Sequence, residues 1–240
     1  MSLVLHPTFC GKEFLDIRDR ISYTFSHKKG SYYQKMNKIF LLLMQIILIA
    51  KRNILIKRCL QKEMSLIADF GCGHFPNKYA NVLVDQYMSP DEQRGGLNLR
   101  KTNSSTFHNL DMNNFPYPFP DKHFDFLICC HVLEHLEDPV RTCTEFSRIA
   151  KAGYIEVPFY CVDLFVRNND LIHKWLCAFE PENGSLRFIK RKHFLDLLPP
   201  RTINIFLRFI LQLRNVSVAW KDQIHARYIN VASPRGPLLP

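Results

Sequence analysis

The sequence predicts an α/β protein with a mostly parallel sheet and helices on both faces, preceded by an N-terminal helical extension. Short apolar runs, several of which end in Gly or Asp, follow one another between residues 65 and 158. Helical or extended segments separate them. Continuous apolar runs are typical of strands buried on both faces, and strands joined by crossovers pair in parallel. The 240 residues, 47% of them hydrophobic, suffice for one packed domain with an appendage.

The extension, residues 1–64, carries the basic character of the chain. It holds 12 Lys and Arg against 4 Asp and Glu, whereas residues 65–240 hold 20 against 18. A local surplus of this kind argues against a protein that binds nucleic acid over its whole surface. Residues 38–62 lack Pro and Gly and predict a long helix, and residues 26–35 predict a loop.

The function of this predicted helix remains open between two interpretations. It can cover the sheet or roof a cleft, or it can lie on a membrane surface with Lys51, Arg52, Lys57 and Arg58 towards anionic headgroups. The apolar run at residues 39–50 is too short to cross a bilayer and is followed by no cleavage site for a signal peptide. Eight scattered cysteines without a C-x-x-C pair predict reduced thiols. We therefore expect a cytoplasmic protein, with contact to the inner membrane surface through residues 38–62 as the alternative.

The elements after residue 64 are predicted from local composition. The expected strands are residues 65–73, 81–86, 107–112, 124–132 and 154–158. A long loop fills residues 89–106, and "DPVRTCTEFSRIAKAG" predicts a helix capped by Asp138 and followed by Gly153. Cys129 and Cys130 should face opposite sides of the fourth strand. Beyond Pro158 the pattern weakens, with a helix or strand expected at residues 202–215 and a final strand at residues 226–232.

Five short motifs carry a resemblance to a known family. In chain order they are Asp69-Phe70-Gly71-Cys72-Gly73, Val84-Asp85, Leu110-Asp111, "FPDKHFD" at residues 119–125 and His131-Val132-Leu133-Glu134-His135. Over residues 65–192 the chain resembles class I S-adenosylmethionine-dependent methyltransferases with a Rossmann-like fold. It is most similar to a subgroup of small bacterial members that share the "GYIEVP" strand and a His-x-Trp, here His173 and Trp175.

The resemblance implies a site for S-adenosylmethionine. Asp69 would help to hold the methionine amino group, Asp85 the ribose hydroxyls, and Asp111 with the Met112 N–H the adenine. Residues Gly71, Cys72 and Gly73 would form the turn against the cofactor. Cys130 and His131 would border the methyl-donating sulfonium.

Elementary chemistry agrees with these assignments. Glycines let the backbone approach a ligand that a Cβ would block, and an acid after the second strand lies where open α/β sheets bind nucleotides. An Asp at a strand end is, however, often only a turn or helix cap. The chain also departs from the family pattern, because Phe75 replaces the third glycine and only residues 74–80 separate Gly73 from the next strand.

The string H-x-x-E-H at residues 131–135 also matches an inverted zinc-peptidase motif. Such a motif needs both histidines on one helix, whereas here they should straddle a strand-to-loop junction. We therefore assign no metal ligand. His131, if neutral, could accept a proton from an attacking group, although methyl transfer often needs no base.

The sequence thus predicts methyl transfer by direct displacement to a small-molecule, glycan or lipid-linked acceptor. The expected organisation is an extension at residues 1–64 and a methyltransferase domain at residues 65–240, with a variable substrate region near residues 159–200. A non-catalytic scaffold with the same fold is the alternative, and a nucleic-acid-binding protein is less favoured.

Overall fold

The computed structural model describes residues 30–86, 105–160, 173–191, 213 and 215–229. The chain divides into two compact units, Met1–Ala50 and Lys51–Pro240. The expected boundary between residues 64 and 65 stays a prediction. Among the described residues, no helix has both the length and the apolar character that crossing a bilayer requires.

The regular elements lie in the following order along the chain. Helix α1 spans Gly30–Cys59 and helix α2 spans Pro139–Ile149. The strands are β1 Ile67–Phe70, β2 Val82–Asp85, β3 Thr106–Asn109, β4 Phe126–Cys130, β5 Ala152–Val157, β6 Trp175–Glu180, β7 Ser185–Lys190, β8 Val216–Lys221 and β9 His225–Ile229. A 3₁₀ turn, Leu133–His135, follows β4.

The main sheet has the strand order β3-β2-β1-β4-β5-β8. Its first five strands pair in parallel, and β8 runs antiparallel to β5. The chain passes outwards from β1 to β3 and then returns to β4 on the other side of β1, which creates a topological switch point between β1 and β4. The predicted Rossmann-like α/β fold is confirmed. A second sheet, of order β6-β7-β9, lies outside this frame.

Helices pack on both faces of the main sheet, as predicted. One buried cluster joins Phe146 of α2 to Phe70 and Leu127 of the strands. The other joins Ile56, near the end of α1, to Phe126 and Ile128. Alternation along β4 decides which residue meets which helix, because successive side chains in a strand point to opposite faces. Cys129 accordingly belongs to the first cluster and Cys130 packs against the second.

Helix α2 is held at its start by the predicted cap. The Asp138 Oδ1 atom accepts a hydrogen bond from the Arg141 N–H at 2.8 Å, and Pro139 occupies the first helical position. The end of the helix differs from the prediction. The helix stops at Ile149, and Gly153 lies inside β5 rather than after the helix.

Several other boundaries differ from the sequence-based expectations. Helix α1 starts at Gly30 instead of Lys38, because residues 31–37 contain no helix breaker, so part of the expected loop at residues 26–35 is helical. Strands β6, β7 and β8 were not predicted, and two of them fall within the expected substrate region. Strand β9 overlaps the expected final strand. Most of the helix or strand expected at residues 202–215 lies outside the described residues.

Gly153 permits the close approach of β4, β5 and β8. A Cβ at this position would collide with the backbone oxygen of Leu127 and would lie 2.7 Å from the indole of Trp220. Gly153 is paired with Leu127 on one side and with Trp220 on the other. A side chain here would therefore force the strands apart.

We expect Gly153→Ala to lower the free energy of unfolding by about 2–3 kcal/mol, because overpacking against a backbone oxygen cannot be relieved by a rotamer change. Gly184→Ala is the matched control, since open space surrounds its Cβ position and only its positive φ of 61° opposes alanine. The control should lose about 1 kcal/mol. Urea unfolding followed by circular dichroism measures both, and equal losses would contradict the packing argument.

Candidate functional site

The predicted site residues gather at the carboxyl edge of the parallel strands. Asp69 is the last but one residue of β1, Asp85 ends β2, and Cys130 ends β4. His131 follows β4 directly, and Asp111 follows β3 by two residues. Because the strands are parallel, all five residues lie at one edge, where open α/β sheets bind their ligands.

The turn after β1 folds over the end of β2. The Gly71 N–H donates to the Val84 carbonyl oxygen at 2.7 Å, and the Gly73 N–H donates to Asp85 Oδ2 at 2.8 Å. The Cys72 thiol lies 3.9 Å from the same carboxylate oxygen. Asp85 therefore fixes the shape of the turn while it borders the candidate site.

The two glycines of this turn have different reasons for being glycine. Both have positive φ, 71° for Gly71 and 57° for Gly73. A Cβ on Gly71 would collide with the Val132 side chain, whereas a Cβ on Gly73 would have no atom within 4 Å. Gly71 is thus required by packing against the segment after β4. Gly73 exposes backbone to open space, which suits the approach of a ligand.

Asp69 is a buried carboxyl group whose pKa is subject to opposing effects. Burial raises the pKa of Asp69 to about 6, although the Asn77 N–H, which donates to its Oδ2 at 2.7 Å, and the charge of Arg52 act in the opposite direction. The neighbouring charge of Asp85 also raises the Asp69 pKa. A cationic group beside Asp69 would favour its ionised form.

Asp111 and Met112 form a compact turn after β3. Asp111 Oδ1 accepts from the Asn113 N–H at 2.9 Å and from the Asn113 side-chain amide at 3.1 Å. The buried Met112 offers its carbonyl oxygen to the Tyr117 hydroxyl at 2.8 Å. These hydrogen bonds stabilise the turn. Asp111 therefore caps a turn, which is the structural alternative that its position at a strand end also allowed.

A buried ion-pair network surrounds His131. Its Nε2 atom lies 3.0 Å from Glu156 Oε1, and the Arg52 guanidinium donates to the same oxygen at 2.7 Å. The Asn215 side-chain amide lies 3.2 Å from His131 Nε2. The Tyr154 hydroxyl donates to Glu156 Oε2 at 2.8 Å. Groups from α1, β4, β5 and the start of β8 thus meet at one carboxylate.

This network changes the expected protonation state of His131. Burial lowers the pKa of His131, but the carboxylates of Glu134 and Glu156 outweigh it and raise the pKa to about 9. A ring protonated at neutral pH donates hydrogen bonds and must lose a proton before it can act as a base. The expected neutral imidazole is therefore not favoured, and a catalytic role for His131 stays a prediction.

The thiol of Cys130, next to His131, is uncharged rather than charged near neutral pH. Burial raises the pKa of Cys130 well above its usual value, although the Arg52 charge opposes this. The thiol is consequently uncharged near neutral pH and can only line the site, not attack as a thiolate.

Several residues of the site were missed from the sequence. Glu156 was read only as part of a strand, and Arg52 was considered as a contact to lipid headgroups. A lone acid inside the apolar run "YIEVP" is a usable signal, because a buried charge needs a partner. The partner itself, 104 positions earlier in the sequence, carries no such signal. Lys51 is also engaged within the chain, through the carbonyl oxygen of Leu213.

The H-x-x-E-H string straddles a strand-to-turn junction, as predicted. His131 follows β4 with φ 57°, and His135 ends the 3₁₀ turn. Trp175, which belongs to the His-x-Trp of the resembled subgroup, donates its indole N–H to the Leu136 carbonyl oxygen at 2.8 Å. Its ring packs against Tyr228 with centroids 4.9 Å apart. Trp175 therefore anchors β6.

A surface cleft of about 580 Å³ lies at the opposite, amino edge of the main sheet. Its lining includes Asp125, Lys151 and Trp220. We assign the functional site to the carboxyl edge despite this cleft, because the acids and the positive-φ glycines converge there.

Comparison with known proteins bears on the family of the chain. Residues 68–155 match a family model described as a methyltransferase domain. This segment contains strands β1 to β5, apart from the first residue of β1 and the last two residues of β5. It also contains every predicted site residue. No curated protein matches the chain.

Three solved structures that are similar to part of this chain are described as methyltransferases. One is a putative methyltransferase in complex with the Trm112 activator from Haloferax volcanii, at 16% identity and a TM-score of 0.41, covering 55% of this chain and 68% of that one. A putative methyltransferase from Bacillus halodurans has 16% identity and a TM-score of 0.39, with 52% and 60% covered. An S-adenosylmethionine-dependent methyltransferase from Mesorhizobium loti has 13% identity and a TM-score of 0.36, with 58% and 64% covered.

The match of residues 68–155 coincides with the parallel strands and with the edge where the acids converge. Residues 68–155 thus match the methyltransferase-domain family model, and the resemblance of the chain to class I S-adenosylmethionine-dependent methyltransferases is confirmed.

Proposed function

We propose that the chain transfers a methyl group from S-adenosylmethionine to a small-molecule, glycan or lipid-linked acceptor. One observation carries the proposal. At the carboxyl edge beside the topological switch point, Asp85 holds the turn in which Gly73 faces open space. A backbone turn next to a strand-end acid is the arrangement that open α/β sheets use for nucleotide ligands.

The residues of this edge fit the parts of the cofactor. Asp85 would accept hydrogen bonds from the ribose hydroxyls, and Asp111 with Met112 would meet the adenine. Asp69 would pair with the methionine ammonium, and the turn at residues 71–73 would lie along the ligand. When bound, S-adenosylmethionine supplies an activated methyl group on a sulfonium, which suits direct displacement. The chain's own contribution is then to orient both partners and to exclude water.

His131 would line the acceptor side of this site. Its ring is fixed by Glu156 at 3.0 Å and its side chain is 35% exposed, so one part is anchored and another can be reached. We propose that it positions the acceptor by donating a hydrogen bond. Cys130, at the end of the same strand, would border the reacting methyl group.

Charge and surface composition support the proposed class of acceptor. The nearly neutral balance of residues 65–240 favours a neutral or weakly charged acceptor over DNA. Exposed apolar side chains on α1, among them Leu43, Ile46, Ile47 and Ile54, favour an acceptor or contact with lipid character. We propose the peripheral membrane contact of α1 on this basis. Arg52 takes no part in it, since Arg52 pairs with Glu156.

A non-catalytic scaffold is a second candidate, favoured by a specific observation. Both oxygens of Asp111 lie within hydrogen-bond distance of Asn side chains, Oδ1 of Asn113 and Oδ2 of Asn114. Asp85 Oδ2 holds Gly73. If these contacts exhaust the acids, a folded protein will not bind the cofactor product. Binding measurements separate the two candidates.

We expect the folded protein to bind S-adenosylhomocysteine in isothermal titration calorimetry. Asp85→Asn should weaken binding at least tenfold, because an amide is a poorer acceptor for two ribose hydroxyls than a carboxylate. Asp125→Asn is the matched control at the opposite edge. Asp125 also accepts backbone hydrogen bonds, from Ser65 and Leu66.

The control should lose stability but keep its affinity. Equal loss of affinity in the two variants would show that the Asp85 effect is only structural. Absence of binding in the folded wild type would support the scaffold.

The pKa of Asp69 predicts a dependence of binding on pH. Because burial raises this pKa to about 6, Asp69 is ionised above pH 6 and neutral below it, against the fixed charge of Arg52 and the neighbouring Asp85. Affinity for S-adenosylhomocysteine should fall about tenfold per pH unit below pH 6 if one proton must leave for the ammonium to bind. Asp69→Asn should bind weakly and with a flat profile between pH 5 and 8.

The stability of the ligand-free protein should change in the opposite direction. A raised folded pKa means that stability is greatest below the unfolded value and declines as pH rises through 6. At pH 8, Asp69→Asn should therefore gain about 1–3 kcal/mol in the free energy of unfolding. A variant that keeps the wild-type pH slope of binding would contradict the assignment of Asp69.

A further inference from the structure

Glu134 is a buried carboxylate that the proposed methyl transfer does not use. Its side chain is 0% exposed, and neither oxygen has a hydrogen-bond partner among the described residues. The closest basic atoms are His131 Nδ1 at 3.6 Å and His135 Nε2 at 3.7 Å from Oε1, both beyond normal hydrogen-bond length. A buried charge in this state costs several kcal/mol unless something compensates it.

Two histidines lie next to this carboxylate from different parts of the chain. His135 follows it in the 3₁₀ turn, and His173 comes from the residues before β6. Ligand atoms of Glu134, His135 and His173 all lie within 4.8 Å of one another. The two imidazole rings have centroids 4.6 Å apart and are nearly perpendicular.

Backbone hydrogen bonds fix the two segments that bring these residues together. The Lys174 N–H, next to His173, donates to the Glu134 carbonyl oxygen at 2.8 Å. The Trp175 indole N–H donates to the Leu136 carbonyl oxygen, one residue beyond His135. These hydrogen bonds therefore hold the segments that carry Glu134, His135 and His173 next to each other without a ligand.

We propose that Glu134, His135 and His173 bind a divalent transition metal ion of the zinc class. One carboxylate oxygen and two imidazole nitrogens form a ligand set that zinc takes in open, three-residue sites, whereas magnesium and calcium prefer all-oxygen ligands. Bonds of about 2.0–2.2 Å place neighbouring ligands of a tetrahedral zinc about 3.4 Å apart. The ligand atoms, which now lie within 4.8 Å of one another, must therefore approach one another by about 1 Å when a metal binds.

The site has an open side. The His135 side chain is 34% exposed and His173 is partly exposed, while Glu134 is enclosed. A water molecule or an oxygen of a small ligand can therefore complete the coordination as the fourth ligand. These three residues are distinct from those proposed to hold S-adenosylmethionine, so the metal site stands whether or not methyl transfer occurs.

The competing explanation is neutralisation by His131 alone. An imidazolium 3.6 Å from Glu134 would reduce the cost of burial without a metal. His131 is shared, however, with Glu156 at 3.0 Å. The two explanations differ in whether His173 matters, because the metal group includes His173, whereas neutralisation by His131 alone does not involve it.

The test uses the full chain, freed of metal with a chelator and dialysed against zinc. Elemental analysis should find about one equivalent of zinc per folded chain, and the thermal midpoint should rise with zinc. His173→Ala and Glu134→Gln should each weaken zinc binding at least about 100-fold and abolish the thermal shift. His225→Ala, at an exposed position on β9, is the control and should keep both properties.

Two results would overturn the proposal. Folded wild-type protein that takes up no zinc would leave His131 as the sole compensation for Glu134. Unchanged zinc content in a folded His173→Ala variant would place the ion elsewhere, for instance on cysteine thiolates. Circular dichroism of each variant verifies that a lost ion is not a lost fold.

Discussion

The buried carboxylate of Glu156 is the constraint on which the rest of the carboxyl edge depends. Glu156 lies within β5, and its burial alone would raise the pKa of the carboxyl group. His131 and Arg52 outweigh this effect and hold the Glu156 pKa well below its usual range. Removing one partner of such a network costs more than the network contributes as a whole, because the remaining charge is left uncompensated. The Glu156 side chain consequently contacts three segments of the chain. These are α1 through Arg52, the end of β4 through His131, and the start of β8 through Asn215.

The same edge concentrates negative charge. Among the described residues, the buried acids are Asp69, Asp85, Glu134 and Glu156, all at or just beyond the carboxyl ends of the parallel strands. Arg52 and His131 both pair with Glu156, so that negative charge at this edge exceeds positive charge. A fold that needed only stability would replace such acids with apolar residues. Their retention is understandable if the edge binds cationic ligands, such as an ammonium, a sulfonium or a metal ion.

The sequence predicted those parts of the molecule in which local composition determines structure. The parallel strands were recognisable as apolar runs, and the cap of α2 followed from Asp138 and Pro139, because each depends on neighbours in sequence. The pairing of Arg52 with Glu156 and the approach of His173 to Glu134 depend on contacts between distant segments. Strands β6 to β8 were not predicted because buried and exposed side chains alternate imperfectly along them. The predicted residues thus lie at the strand ends that the sequence indicated, whereas the sequence did not indicate their contact partners.

The short first turn shows how structural and binding duties share the same atoms. The family pattern has a third glycine and a helix here, whereas this chain has Phe75 and a few residues of turn. Asp85 holds the Gly73 N–H and Asp69 holds the Asn77 N–H, so the two acids fasten the turn at both ends. A carboxylate can accept about four hydrogen bonds, so a bond to the backbone does not by itself exclude bonds to ligand hydroxyls or an ammonium. The turn can therefore be short without loss of a site, and the Arg52 charge, which opposes the effect of burial on the Asp69 pKa, links binding at this turn to the ion pair of Arg52 with Glu156.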